Sequence, residues 1–306
     1  MLLVKVWKET KVMKILYMCM GNPFTENMLY KENYYIKAYA EQGDNVLVVA
    51  DPRRYNGNQI EYVKSGEYNI SQGVKVKRCK FNRCCNNYLT YKYRRFDKFE
   101  NIVDIFLPDY IIVNCMQSYY INDIKKIKKK HPDIRIIGES SVTLYNSATN
   151  FISYHILHGL IYRNWIEKNI GYFDKMFYVA PECKEFYEKV YKINTKAFEF
   201  RPLPAQIITA ETREVNNKEI RKKYNINQDS IVFAHSGKMN NLKMTLDIMK
   251  AFSDCKNNNM YLLLAGVFDE EIREEVIQYI NKDKRIIYLG MLSGDKLTKM
   301  LCACDM

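Results

Sequence analysis

The chain has 306 residues, 47% hydrophobic and 27% charged, a composition that buries a core and excludes a disordered or collagen-like polymer. Its length suits two domains of ordinary size. Forty-seven lysines and arginines against 35 acids give a net charge of +12, which attracts anionic partners without choosing among nucleic acid, lipid and phosphorylated substrates.

Nine cysteines without a C-x-x-C pair predict reduced, mostly buried thiols, not a disulfide framework or a zinc site. The N-terminal apolar run, Met1 to Val4, stops at Lys5. It is too short for a signal-peptide core or a membrane span, so the expected location is the cytoplasm. No helix-turn-helix or aromatic-basic motif accompanies the charge, and nucleic acid is not an expected partner.

Residues 1–12 read as an extension, because Met13-Lys14-Ile15 is itself a natural start. A strand over 14–20 ends at Gly21-Asn22-Pro23. A helix over 25–42 follows, with Thr25 as its N-cap, and then a strand over 46–50. Continuous apolar strands of this kind belong to buried parallel sheets. A strand over 109–114 precedes a helix over 120–130. Its Ile121, Ile124 and Ile127 share one face, and its five lysines form the solvated one. The next strand, 134–137, closes at Gly138. Glu139-Ser140-Ser141 after it reads equally as a cleft-facing segment or as a cap.

His155 and His158 lie on an apolar segment without an H-E-x-x-H pattern. They read as packed histidines; with Tyr154, Tyr162 and Trp165 the same segment could instead touch a bilayer. A strand over 176–180 leads to Pro181, which opens a helix. Pro202 and Pro204, with polar sequence through Asn217, mark a domain crossover. The expected domains are therefore 13–205 and 206–306. In the second, strands over 231–235, 260–265 and 285–289 alternate with helices over 242–255, 269–280 and 295–304. Three βα units are fewer than an independent doubly wound domain uses, so this domain reads as incomplete.

Glycines recur at expected strand exits: Gly21, Gly138, Gly237, Gly266 and Gly290. Ligands of open parallel sheets bind beyond those ends. The run His235-Ser236-Gly237-Lys238-Met239-Asn240-Asn241-Leu242-Lys243 carries the clearest chemistry. Backbone donors near Gly237 and two ammonium groups, Lys238 and Lys243, suit the two phosphates of a nucleotide diphosphate. The alternative is an ordinary βα turn with two surface lysines. It is not a Walker loop, and Gly21-Asn22-Pro23 is not the dinucleotide fingerprint G-x-G-x-x-G.

These motifs, in this order, resemble the retaining glycosyltransferases of family 4, which have the GT-B fold. The resemblance runs from Met13 to Met306 and rests on several segments. They are Gly21 to Thr25, Leu107-Pro108-Asp109, Tyr178 to Glu182, Ser236-Gly237-Lys238 with Lys243, Leu264-Ala265-Gly266, Ile287 to Gly290, and Leu297 to Asp305. It implies two Rossmann-like doubly wound α/β domains, with a nucleotide-sugar donor on the second and a glycan or lipid-linked acceptor on the first. Gly237, Lys238 and Lys243 would meet the donor diphosphate, Gly290 and Met291 the nucleobase. Gly21 and Asn22 would line the acceptor cleft, with Glu139 where relatives place a His or Asp. It implies neither a metal nor a cofactor, and allows peripheral contact with the inner face of the cell membrane. Three departures stand out. Met244 replaces the glycine after the second lysine, Pro202-Leu203-Pro204-Ala205 replaces "PnG", and the E-x7-E donor segment does not follow Asp305-Met306. The expectation is a glycosyltransferase of surface-polysaccharide type in fragment form. A non-catalytic remnant that binds a nucleotide diphosphate and a sugar-nucleotide epimerase are the alternatives.

Overall fold

A computed structural model describes residues 11–57 and 59–306. These divide into two compact units. The first holds the described residues through Glu26, with Tyr30–Arg54 and Tyr62–Ala205; the second holds Asn27–Leu29, Tyr55–Glu61 and Gln206–Met306. The expected extension lies outside the described residues, Lys11 and Val12 excepted.

The strands, in chain order, begin with β1 (Lys14–Cys19), β2 (Asn45–Ala50), β3 (Arg53–Asn56), β4 (Gln59–Tyr62) and β5 (Gly66–Ser71). Next come β6 (Val74–Arg78), β7 (Tyr110–Val113), β8 (Arg135–Ser140), β9 (Lys175–Tyr178) and β10 (Phe198–Phe200). Eight of them form one sheet in the order β10-β9-β8-β7-β1-β2-β6-β5. Every pairing is parallel except the one between β5 and β6. Strand β1 shows why its sequence is apolar throughout. Leu16 and Met18 enter one core with Phe99, Ile124 and Ile127; Ile15 and Tyr17 enter the other with Ile36 and Val48. A strand covered on both faces has no solvent side on which to place a polar residue.

The helix expected over 25–42 is shorter. It spans Lys31–Glu41, with Tyr30 at its N-cap, and Thr25 is buried ahead of it. Strand β8 does not close at Gly138 but continues through Glu139 to Ser140. At Gly138 a Cβ would press on the ends of the Met176 and Phe173 side chains, which would have to shift to admit it. The isoleucine stripe holds: Ile121, Ile124 and Ile127 are buried, and Lys126, Lys128 and Lys130 reach Glu100, Asp174 and Asp104 from the outer face.

In the second unit β11 (Ile231–Met239), β12 (Met260–Phe268) and β13 (Ile286–Tyr288) form a parallel sheet in that order. Met249, Phe252 and Val276, from helices Thr245–Asp254 and Arg273–Lys282, cover one face. Ile220 and Met300, from Ala210–Lys223 and Gly294–Cys302, cover the other. The polar stretch expected to be crossover through Asn217 is thus mostly helix, capped by the Thr209 side chain, which accepts from the Thr212 N–H. Its buried stripe is Asn216, Ile220 and Arg221, too polar to show an apolar period. Asp305 and Met306 pair along the remaining edge of β11: the Asp305 N–H donates to the Val232 carbonyl and the Ala234 N–H to the Met306 carbonyl, both at 2.8 Å. Among the described residues no helix is long and apolar enough to cross a membrane.

Candidate functional site

Two groups of residues carry chemistry, one in each unit. In the second unit the strands run further than their apolar sequence indicates. β11 continues through Ser236-Gly237-Lys238-Met239, pairing Gly237 with Gly266 of β12. The Gly266 N–H then donates to the Gly290 carbonyl at 2.9 Å, just past β13. Three glycines therefore abut at the carboxyl edge of three adjacent strands, with φ of 109°, 145° and 70°. Positive φ is the conformation glycine tolerates best. A Cβ on Gly237 or Gly290 would meet nothing within 4 Å, whereas one on Gly266 would lie 1.8 Å from the Gly237 carbonyl oxygen. Gly266 lets the two strands approach, and its neighbours leave backbone open to whatever lies beyond.

The helix expected from Leu242 begins three residues later, at Thr245. Asn240 closes a short 3-10 turn, Asn241–Lys243, its side chain accepting from the Lys243 N–H at 3.0 Å. Met244 then takes the left-handed conformation, φ 53°, before the helix Thr245–Asp254. The resemblance expects glycine at this position, and the backbone here has a glycine's shape although a methionine fills it. Lys238 and Lys243 are both exposed. Lys238 Nζ lies 3.4 Å from Asp269 Oδ2, an oxygen that also accepts from Asn240 Nδ2 at 3.2 Å. Beneath the turn His235 Nε2 and Thr245 Oγ1 are 3.0 Å apart. Burial, and then the charge of Lys243, lower the imidazole's pKa, which favours its neutral form. Met291, half exposed, follows Gly290. Asn240, Asp269 and Gly266 were not among the candidate residues. Asn240 carried a signal, as an Asn suited to cap a turn.

In the first unit Gly21 (φ 144°) follows β1, and a Cβ there would meet the Cys115 Sγ at 2.7 Å. Asn22 lines a cavity of about 560 Å³ together with Tyr88, Lys92, Arg94, Asn114, Gln117 and His158. Glu139 is not in its wall. Its buried carboxylate faces the other side of the sheet, paired with Lys31 and 3.8 Å from Arg201 Nη1. The three acceptor-side candidates are thus split: Asn22 lines the cavity, Gly21 is buried against Cys115 of the cavity wall, and Glu139 sits in a buried ion pair.

One wall of the cavity is a π-helix, Ile152–Tyr162. Its i→i+5 repeat aligns Ile152, Leu157 and Tyr162 in one row and Ser153 and His158 in the next, and all five line the cavity. An α-helical repeat would not align these rows, which is why spacing alone could not separate the two histidines. His155 is exposed, its ring 4.5 Å from that of Phe151. His158 is buried, its Nδ1 2.8 Å from the Tyr191 hydroxyl. Burial, followed by the charges of Lys92 and Arg94, pushes the His158 pKa down to about 4. The unfolded chain therefore binds the extra proton between about pH 6.5 and pH 4. Stability from this residue is complete above that window and falls as pH falls through it, by at most about 1.4 kcal/mol per pH unit. His158→Gln should flatten the stability–pH curve across that window, read as urea midpoints at successive pH values. An unchanged slope would assign the loss to other groups.

No protein-family model matches the chain, and no curated protein sequence matches it either. Solved structures do. Sucrose-phosphate synthase from Thermosynechococcus elongatus superposes with a TM-score of 0.61 at 14% identity, over 96% of this chain and 74% of that one. HepE of Anabaena, solved in complex with UDP and glucose, gives 0.58 at 13%, over 96% and 72%. A glycosyltransferase from Rickettsia africae gives 0.56 at 12%, over 97% and 72%. Two Rossmann-like α/β units shared with these enzymes across nearly the whole chain identify its fold as GT-B.

Proposed function

We propose that the chain transfers a sugar from a nucleotide-diphosphate sugar to a glycan or lipid-linked acceptor of surface-polysaccharide type. One observation carries this reading: the glycine-lined carboxyl edge of β11, β12 and β13 with Lys238 and Lys243 beside it. Phosphate oxygens can reach backbone at Gly237 and Gly290 because no side chain stands in the way. Two ammonium groups next to them would neutralise the negative charge that builds on a departing diphosphate, the chief electrostatic demand of such a transfer. Lys238 would exchange its contact with Asp269 for the phosphate. Met291 offers an apolar surface to the base. Acceptor binding falls to the first unit, at Gly21 and Asn22. Phe151, just before the π-helix, and Ile156 and Leu160 on it are exposed and do not line the cavity; they support contact with the inner face of a membrane.

The test is calorimetric. UDP should bind the chain, and Lys238→Ala with Lys243→Ala should weaken it by about tenfold or more, the scale of charge-assisted hydrogen bonds. Equal binding by the double variant would remove the site. Transfer is then sought with a panel of nucleotide sugars and acceptors. UDP bound without transfer or donor hydrolysis would keep the nucleotide site and reject the transferase.

A further inference from the structure

The first-unit cavity has a charge pattern that an acceptor site does not require. No aspartate or glutamate lines it, yet Lys92 and Arg94 do. Arg94 takes a left-handed backbone, φ 54°, at the end of helix Asn87–Tyr93. Its Nε donates to the Tyr91 carbonyl at 3.0 Å, and its Nη1 donates to the Gln117 carbonyl at 2.9 Å and the Cys115 Sγ at 3.0 Å. Among the described residues its Nη2 has no hydrogen-bond partner and Lys92 has no ion pair; the Lys92 Nζ lies 5.5 Å from the Tyr88 ring centre. Two cations, each half-buried, face one partly open space; the charge of Asp51 reaches Arg94, but no carboxylate among the described residues pairs with either, their like charges repel there, and both depress His158. An anion in the cavity resolves this.

The rest of the wall specifies what carries the anion. Asn22, Ser141 and Ser153 present an amide and hydroxyls, the partners of sugar hydroxyls, and Asn146 and Asn150 add amides that also bond within their own loop. Asn114, another wall residue and buried, has an Oδ1 with no hydrogen-bond donor among the described residues. Tyr88, largely exposed, offers a ring face at the rim. A volume of about 560 Å³ falls within the range of small-ligand sites. We infer that this cavity binds a sugar phosphate, its phosphate between Lys92 and Arg94 and its hydroxyls on the amide-rich wall. A phosphate dianion fits two cations where a carboxylate would satisfy one. As an acceptor site this rests on the transferase reading; as a binding site it does not.

The experiment measures binding to the full chain without donor. Glucose 6-phosphate and glucose 1-phosphate represent a free ester. Phosphatidylcholine vesicles carrying glucosyl polyprenyl diphosphate, against plain vesicles, represent a lipid-borne one. Binding of either ester is expected, with glucose at least tenfold weaker and inorganic phosphate competing. Lys92→Glu should weaken ester binding by about tenfold or more, and Lys92→Arg should retain it. Arg94→Lys is the milder probe of the second cation, since Arg94 also holds two carbonyls. UDP binding is read separately in each variant. If it persists while ester binding falls, the loss is local to the cavity. If UDP never binds but the ester does, the donor reading fails and this one stands. Glucose binding as tightly as its phosphates, or Lys92→Glu binding as wild type does, overturns the inference; so does failure of both ester sources to bind. Binding confined to one source assigns the phosphate to that source.

Discussion

Arg78→Met is expected to destabilise the first unit by about 3–5 kcal/mol, the range for removing one partner of a buried charged network. Arg78 is 2% exposed. Its Nη1 donates to the carbonyls of Asp51 and Arg53 at 3.0 and 3.2 Å, and its Nη2 to Phe24 O at 2.8 Å and Glu26 Oε1 at 2.6 Å. Its Nε donates to the Tyr68 hydroxyl at 3.0 Å, which in turn donates to Glu26. Methionine fills part of the volume but strips all five acceptors, so the loss is mainly polar rather than a cavity effect. Burial works against the Glu26 carboxylate, yet the hydrogen bond from Tyr68 and the contacts of Arg78 leave its pKa below the usual value. Its contribution is therefore present above the unfolded pKa of about 4.3 and lost as pH falls through the lower folded value. The check is hydrogen exchange on β2 and β6, whose protection should drop in Arg78→Met at neutral pH. Unchanged protection there would mean that the network positions the loop but does not stabilise the sheet. Because Phe24 and Glu26 close the loop that starts at Gly21, the variant should also loosen the wall around Asn22.

Gly266→Ala should cost the second unit about 3 kcal/mol or more, combining overpacking with backbone strain. The new Cβ would sit 1.8 Å from the Gly237 carbonyl oxygen and 3.1 Å from the Gly237 nitrogen, at φ 145°. Both are backbone atoms inside a paired strand, so no side-chain rotation relieves the clash; β11 and β12 must separate. Gly290→Ala is the control. It has a positive φ of 70° but open space around the Cβ, so only the conformational penalty of about 1 kcal/mol applies. Urea unfolding followed by hydrogen exchange on β11 and β12 distinguishes them. Equal costs for the two substitutions would refute close strand approach as the reason for Gly266. The same separation would displace Gly237 and Lys238, so weaker UDP binding should accompany the loss in Gly266→Ala.

The helix sequences show where reading along the chain stops working. The isoleucine stripe of 121–127 is local and was legible, as were the apolar runs of β1, β2, β7, β11 and β12. Strand β5, exposed at every residue, and the Ala210–Lys223 helix with its polar buried stripe carry no such period. Their burial pattern is set by a neighbouring strand or helix, and their own sequence does not announce it. Strand lengths were misjudged for a related reason. The glycine and lysine at 237–238 look like a turn, but pairing of Gly237 with Gly266 keeps them in the sheet.

The sequence by itself determined the alternation of strands and helices, the break after the prolines, and the Gly-Lys-Lys run now proposed to meet phosphate, because each is written in residues close together. Only the tertiary structure decided that Glu139 is locked in an ion pair while Asn22 faces open space. It also decided that His158 points inward while His155 does not, and that Lys92 and Arg94 share a wall with Asn114 and Ser153. Those outcomes depend on residues from 22 to 162 that meet only when the sheet forms. A charge left without a counter-ion becomes visible only after every neighbour has been placed.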